Sequence, residues 1–309
     1  MVPVLIGVLI INFTLIHIAP GDPASYLAGM EAPVALVERL RIEWGLDKPL
    51  YQQLFIYLSN FFRGNLGDSF RYRQPVLKVI LERLPTTLVL TISAFVVSVL
   101  LGVALGVTSS KRPFSFFDGI TTTFSVVFYS IPVFWLGIVF ILVFSLRFDI
   151  FPVQGVHTVG IEMNFFDSIL DLIWHLFLPM MTLALVNLAS YCRFTRASML
   201  EELRKDYIIT ARSKGLSENT VFYTHALKNA LIPVITIMGL RLPYLFAGSL
   251  LIETVFAWPG IGRLMYLSIL SRDYPTLMGN FAITSLLILL SNFITDMIYA
   301  SVDPRIRYE

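Results

Sequence analysis

Between Arg193 and Asn229 the chain reads RFTRASMLEELRKDYIITARSKGLSENTVFYTHALKN, a polar island in an apolar sequence. Runs long enough to cross a bilayer lie on both sides of it. The island carries seven basic residues, Arg193, Arg196, Arg204, Lys205, Arg212, Lys214 and Lys228, and one glycine, Gly215. A short loop this basic between two spans is retained on the cytoplasmic side of a membrane. The fold therefore reads outward from this loop as a helical bundle in lipid.

Composition agrees. Of 309 residues, 56% are hydrophobic and 14% charged, with a mean hydropathy of +0.74. A soluble domain carries roughly 25% charge, so this chain cannot cover a water-facing surface and reads as an all-α integral membrane protein. A net charge of +2 gives no reason to expect nucleic acid. The one cysteine, Cys192, excludes a disulfide framework and any multi-cysteine metal site. The four histidines, His17, His157, His175 and His225, show no metal-ligand spacing and no H-E-x-x-H helix. This argues against an intramembrane hydrolase and leaves no metal site to expect.

A helix needs about 20 apolar residues to cross the hydrocarbon core. Six segments qualify: 2–18, 85–108, 119–146, 169–191, 231–252 and 281–300. The first is short and begins close to Met1 with no basic residue before it, so a few preceding residues are expected to be missing. The third is long enough to tilt, with a kink expected at Pro132, and Pro179, Pro233 and Pro243 are expected to bend others. With the N-terminus inside, the cytoplasmic segments hold eleven Lys/Arg (Lys111, Arg112, the island's seven, Arg305 and Arg307). The two short outer loops hold three, Arg147, Arg263 and Arg272. Both termini are therefore expected in the cytoplasm.

The long outer loop, from Pro20 to Leu84, has helical pattern. Leu36, Leu40 and Trp44 fall at i, i+4 and i+8, and Leu50, Leu54, Leu58 and Phe61 follow after Pro49. Gly64 and Gly67 then mark a turn. Two amphipathic helices on the outer face are expected. They either cap the bundle or meet an outer partner. The expected organisation is 1–80 for the first span and outer loop, 81–302 for the transmembrane core, and 303–309 for a cytoplasmic tail.

Inside the island, Ile208, Ile209, Ala211 and Arg212 share one helical segment, and Gly215 breaks it. Ser217 is placed to N-cap a second helix that carries Val221, Phe222, His225 and Ala226. Two short helices result, with an apolar knob at their joint suited to a groove on a cytoplasmic protein. The alternative is an ordinary basic loop with interfacial helices.

The run TARSKGLSENTVFYTHALKNALIP resembles the cytoplasmic EAA loop of bacterial and archaeal ABC importer permeases. There an E-A-A triplet is followed by three residues and a glycine. The matching positions are Ile209, Thr210, Ala211 and Gly215. Isoleucine in place of the glutamate is the form used by the dipeptide, oligopeptide and nickel branch. IAPGDPA (18–24), ETVFAWPGIGRLMY (253–266), RDYP (272–275) and VDPRIRY (302–308) are similar to that branch at the same spacing. The resemblance implies a type I permease fold with six transmembrane helices, forming half of a translocation pathway beside a homologous second permease. It implies two cytoplasmic ABC ATPase subunits that dock on Thr210, Ala211, Gly215, Leu216, Ser217, Val221 and Phe222, and an extracytoplasmic solute-binding protein that delivers the substrate. Di- or oligopeptides are the first expectation, with nickel or metal chelates and oligosaccharides as alternatives. No G-x-x-x-x-G-K-[ST] run is present, so ATP and magnesium are expected on the partner ATPases and no cofactor on this chain.

Polar residues within spans are costly and often functional. Thr284, Asn292, Thr295 and Asp296 share one stripe of the sixth span, and Thr87, Thr91 and Ser98 one of the second. Either stripe would line a wet path or bond helix to helix. Gly102 and Gly106 form a GxxxG, read as packing. Arg241, in mid-span, costs roughly 3 kcal/mol on insertion scales. It is expected to face the pathway or the paired subunit, the alternative being a structural ion pair. A secondary transporter would need internal repeats and intramembrane carboxylates. No clear repeat is visible, and Asp296 lies near a span end.

Overall fold

A computed structural model of the chain describes residues 2–18, 24–25, 33–43 and 45–302, and every regular element among them is a helix. Most of IAPGDPA and VDPRIRY, together with Trp44, Arg305 and Arg307, lies outside the described residues. In chain order the helices are α1 (Val2–Ile18), α2 (Val34–Glu43), α3 (Leu50–Phe62), α4 (Val76–Ser110), α5 (Phe116–Ser130) and α6 (Val133–Phe140, running on through a π turn, Ile141–Arg147). There follow α7 (Phe165–Glu202), α8 (Asp206–Ser213), α9 (Glu218–Phe246), α10 (Leu250–Val255), α11 (Ile261–Leu270) and α12 (Tyr274–Val302). The π turn Val221–Ala226 lies inside α9.

Four of these, α4, α7, α9 and α12, are long and apolar enough to cross a membrane. The third expected span is not one tilted helix. It is two, α5 and α6, turned by 103° at their junction. The cause is local. A residue before proline is pushed out of the helical region, and proline lacks the N–H the next turn needs. Ile131 accordingly takes φ −76° and ψ 129°, and α6 restarts after Pro132. Helix α1, at 17 residues, is apolar but shorter than the expected span length. Helix α7 continues through Pro179, α9 through Pro233, and Pro243 falls in the 3-10 turn that ends α9.

The chain divides into two compact units, Met1–Thr87 with Phe246–Thr254 and Pro259–Glu309, and Leu88–Leu245 with Val255–Trp258. In the first, Leu5 and Leu9 of α1 bury against Ala282 of α12, with Tyr57, Leu58 and Phe61 of α3 closing the cluster. Val76, Val79 and Ile80 of α4 bury against Ile261 and Leu264 of α11.

Two buried carboxylates organise the turns of this unit. Glu253 is fully buried, and its oxygens accept from the Thr87 hydroxyl (3.1 Å), Ser249 N (3.2 Å) and Arg263 N (2.9 Å). A Cβ on Gly248 would sit 2.5 Å from one Glu253 oxygen, and a Cβ on Gly260 2.5 Å from the other. The glycines of this segment therefore make room for the carboxylate. Asp273, also fully buried, accepts from Ser69 Oγ (2.5 Å), Phe70 N (3.1 Å) and Thr276 Oγ1 (2.7 Å), which ties residues 69–70 to the start of α12. Buried polar groups with this many partners fix the backbone around them.

In the second unit α4 lies hard against α7. A Cβ on Gly102 would meet Leu188 O at 2.9 Å, and one on Gly106 would meet Cys192 O at 2.6 Å. The GxxxG is a close helix crossing. Beyond α6, Asp171 holds the following loop down, accepting from Thr158 N (2.9 Å) and Thr158 Oγ1 (2.7 Å).

Candidate functional site

The polar island is an ordered structure. Helix α7 ends at Glu202, and α8 begins at Asp206. Helix α8 closes in a Schellman pattern, with Gly215 N donating to Arg212 O (2.9 Å) and Leu216 N to Ala211 O (3.4 Å). The pattern places its C′ residue in the left-handed region, and Gly215 is there at φ +77°. Ser217 caps the next helix, its hydroxyl accepting from Thr220 N (3.3 Å). Across the turn Arg212 grips Glu218 through two bonds, Nε–Oε1 at 2.9 Å and Nη2–Oε2 at 3.2 Å.

What anchors this bend is apolar. Ile208, Ala211, Val221, Phe222, Ala226 and Ala230 bury in one cluster with Val107 of α4 and Met199 of α7. Tyr207 closes the polar side. Its hydroxyl donates to Glu202 Oε2 (2.7 Å) and accepts from Asn229 Nδ2 (3.0 Å), so it joins the end of α7 to α9 across α8. Burial pushes the Tyr207 hydroxyl above its ordinary pKa, and the neighbouring Glu202 acts in the same direction. The hydrogen bond to Glu202 raises Lys205 likewise. Lys111, after α4, lies 4.5 Å from the centre of the Tyr223 ring.

The expected docking residues separate into two sets. Thr210, Gly215, Leu216 and Ser217 are exposed, on a surface completed by Ile209. Ala211, Val221 and Phe222 are buried within the chain's own cluster. The apolar face was expected to project as a knob, but it points inward, because Val107 and Met199 supply an apolar seat for it. Sequence reasoning missed Tyr207, Glu202, Asn229 and Lys111. Each is a polar side chain whose partner lies on another element.

Arg241 on α9 and Asn292 and Asp296 on α12 are all exposed. The stripe expected on α12 divides, since Thr284 and Thr295 are buried whereas Asn292 and Asp296 are exposed. Thr87, Thr91 and Ser98 are also buried. Thr91 donates to Leu245 O (2.9 Å) and Ser98 to Phe95 O (2.8 Å), so the stripe on α4 is bonded to protein.

Residues 98–308 match the family described as binding-protein-dependent transport system inner membrane component, and residues 1–91 match its N-terminal counterpart. The chain belongs to this family of permeases. The oligopeptide transport system permease protein AppB of Bacillus subtilis (strain 168) is 41% identical, across 99% of this permease and 96% of AppB. The di/tripeptide transport system permease protein DppB of Pseudomonas aeruginosa (strain UCBPP-PA14) is 39% identical, across 100% of this permease and 96% of DppB. A chain of the MetNI methionine ABC transporter in an inward-facing conformation matches with a TM-score of 0.56 at 17% identity, over 74% of this permease and 97% of that chain. The permease thus has the fold of ABC importer membrane subunits. Its island is the segment where α4, α7 and α9 share one buried cluster.

Proposed function

We propose that this permease is a non-catalytic membrane subunit of an ATP-driven importer for di- and oligopeptides, and that its island is the docking surface for a separate ATPase. The observation that carries this is the island's architecture. A Schellman turn presents Ile209, Thr210, Leu216 and Ser217 to solvent while Val221 and Phe222 lock the same turn onto α4 and α7. A partner that grips the outer face therefore moves the helix ends. Exposed ion pairs contribute about 0–1 kcal/mol each, so shape rather than charge holds the partner.

Two such ATPases, carrying ATP and magnesium, serve two permeases. The second is a homologue of this one, and the pair forms the pathway, with Arg241 facing it or the paired subunit and Asn292 and Asp296 lining it. A solute-binding protein delivers substrate from outside. The permease crosses the cell membrane several times with both termini in the cytoplasm, the side favoured by the eleven basic residues. Peptide cargo is supported by relatives named for oligopeptide and di/tripeptide transport at about two-fifths identity over nearly the whole chain.

The test is to purify the assembled complex in lipid and measure which ligand of the binding protein stimulates ATP hydrolysis. Stimulation by di- or oligopeptides is expected. Stimulation by nickel chelates or oligosaccharides alone would overturn the cargo, and a complex that never contains an ATPase would overturn the docking.

A further inference from the structure

At the start of the island, Arg196 enters an ion pair that the docking surface does not use. Asp118, in the first turn of α5, is 3% exposed. Arg196 of α7 meets it with two parallel bonds, Nε–Oδ1 at 2.5 Å and Nη2–Oδ2 at 2.7 Å. The remaining carboxylate capacity is also filled. Ser109, at the end of α4, donates its hydroxyl to Oδ1 (2.5 Å), and Phe114 N donates to Oδ2 (2.8 Å). One carboxylate thus fastens the end of α4, the turn after it, the start of α5 and the flank of α7. The Phe114 backbone is held at φ +62° in the process, a conformation a bulky residue keeps only when its surroundings impose it.

Such a pair is a poor source of stability. Removing two charges from water offsets most of their attraction, and apolar replacements of similar volume are often equally stable. What a bidentate guanidinium–carboxylate contact supplies is fixed geometry. Position then decides its use. Met199 lies three residues after Arg196, so both side chains lie on neighbouring parts of one α7 face. Met199 is fully buried in the island's cluster with Ile208, Ala211 and Val221. The end of α7 is therefore held twice within one turn, by the island through Met199 and by α5 through Arg196. Helix α5 is in turn the first half of the bent pair.

We propose that Asp118 and Arg196 are a positioning pair that makes α5 follow the island, carrying a displacement of the docking surface into the broken span. This rests on the docking reading above, and it adds a route by which docking reaches the membrane. Apolar contact alone lets helices slide, whereas a two-bond fork with a fixed plane resists both sliding and rotation.

The test uses the reconstituted complex with its ATPases and binding protein. It compares the wild type with Asp118→Asn, with the apolar double variant Asp118→Leu/Arg196→Met, and with the exchanged pair Asp118→Arg/Arg196→Asp. The double variant leaves no buried charge unpaired, so its folding is protected. Recovery of ATPases with the permease and basal ATP hydrolysis should stay at wild-type levels in the double variant. Substrate taken up per ATP hydrolysed should fall tenfold or more in both Asp118→Asn and the double variant, and the exchanged pair should restore part of it. A smaller fall in the double variant would overturn the proposal, because only packing would then join the helices. A Gly215 variant made in parallel separates the two readings. If bulk at Gly215 uncouples transport and loss of the pair does not, docking stands and the strut fails. If the wild-type complex holds no ATPase, both fail.

Discussion

Gly215 permits a quantitative separation of backbone strain from surface bulk. It sits at φ +77°, and no atom lies within 4 Å of the position a Cβ would occupy. A substitution there meets no clash, so its structural cost is conformational, about 1–2 kcal/mol for an L-residue held in the left-handed region. Asparagine tolerates that region and should cost least. The island is anchored by eight buried residues. Deleting even one large apolar side chain from such a core costs about 2–5 kcal/mol, so the anchor as a whole outweighs the strain. Gly215→Asn, Gly215→Ala and Gly215→Trp should therefore all insert, fold and purify as the wild type does. They differ in what projects outward between Leu216 and the Arg212–Glu218 clamp. In proteoliposomes with the ATPases and binding protein, Asn and Ala should retain uptake within about threefold, since a 1.4 kcal/mol change is a tenfold shift only if it falls entirely on docking. Gly215→Trp should lose at least tenfold in uptake while basal ATP hydrolysis continues. If the Trp variant transports normally, the surface around Gly215 does not dock. If Ala fails as badly as Trp, strain rather than contact is responsible.

Tyr207→Phe removes the hydroxyl shared by Glu202 and Asn229. It should loosen residues 203–217 by about 1–3 kcal/mol, read as faster amide exchange there with the spans unchanged. Glu253→Gln turns one acceptor of backbone N–H groups into a donor. It should lower the melting temperature of the purified permease, by about 1–3 kcal/mol in free energy, and an unchanged melting temperature would refute the cradle. Arg241→Leu should ease membrane insertion by roughly 3 kcal/mol yet reduce uptake, and normal uptake would remove Arg241 from the pathway.

The parts of this fold that were legible in the sequence rest on short-range chemistry. Gly215 and Ser217 signal a turn and a cap within three residues, and both geometries are present. The apolar face made by Val221, Phe222 and Ala226 was also readable, because helical spacing alone defines it. Its direction was not. In a chain that is 56% hydrophobic, an apolar face beside a polar one has two apolar destinations, a partner's groove or the chain's own helix ends. Only Val107 and Met199, which lie 114 and 22 residues before Val221 in the sequence, decide between them.

The same limit explains the polar residues. In water, a polar side chain within an apolar run is informative because solvent is its default partner. In lipid that default is gone, so each such group must find protein or line a cavity. Thr91 and Ser98 found backbone carbonyls, one of them on another helix. Asp118, one residue before the third expected span, found Arg196 at a separation of 78 residues. Proline shows the contrast on the backbone. Pro132 announced an irregularity, but kink or break depends on whether Ile131 stays helical, and it does not. Sequence spacing therefore marks where a membrane helix carries a polar or backbone demand, and tertiary structure alone assigns the partner. This is why the docking turn could be read from one segment, while the pair that would link it to α5 required three.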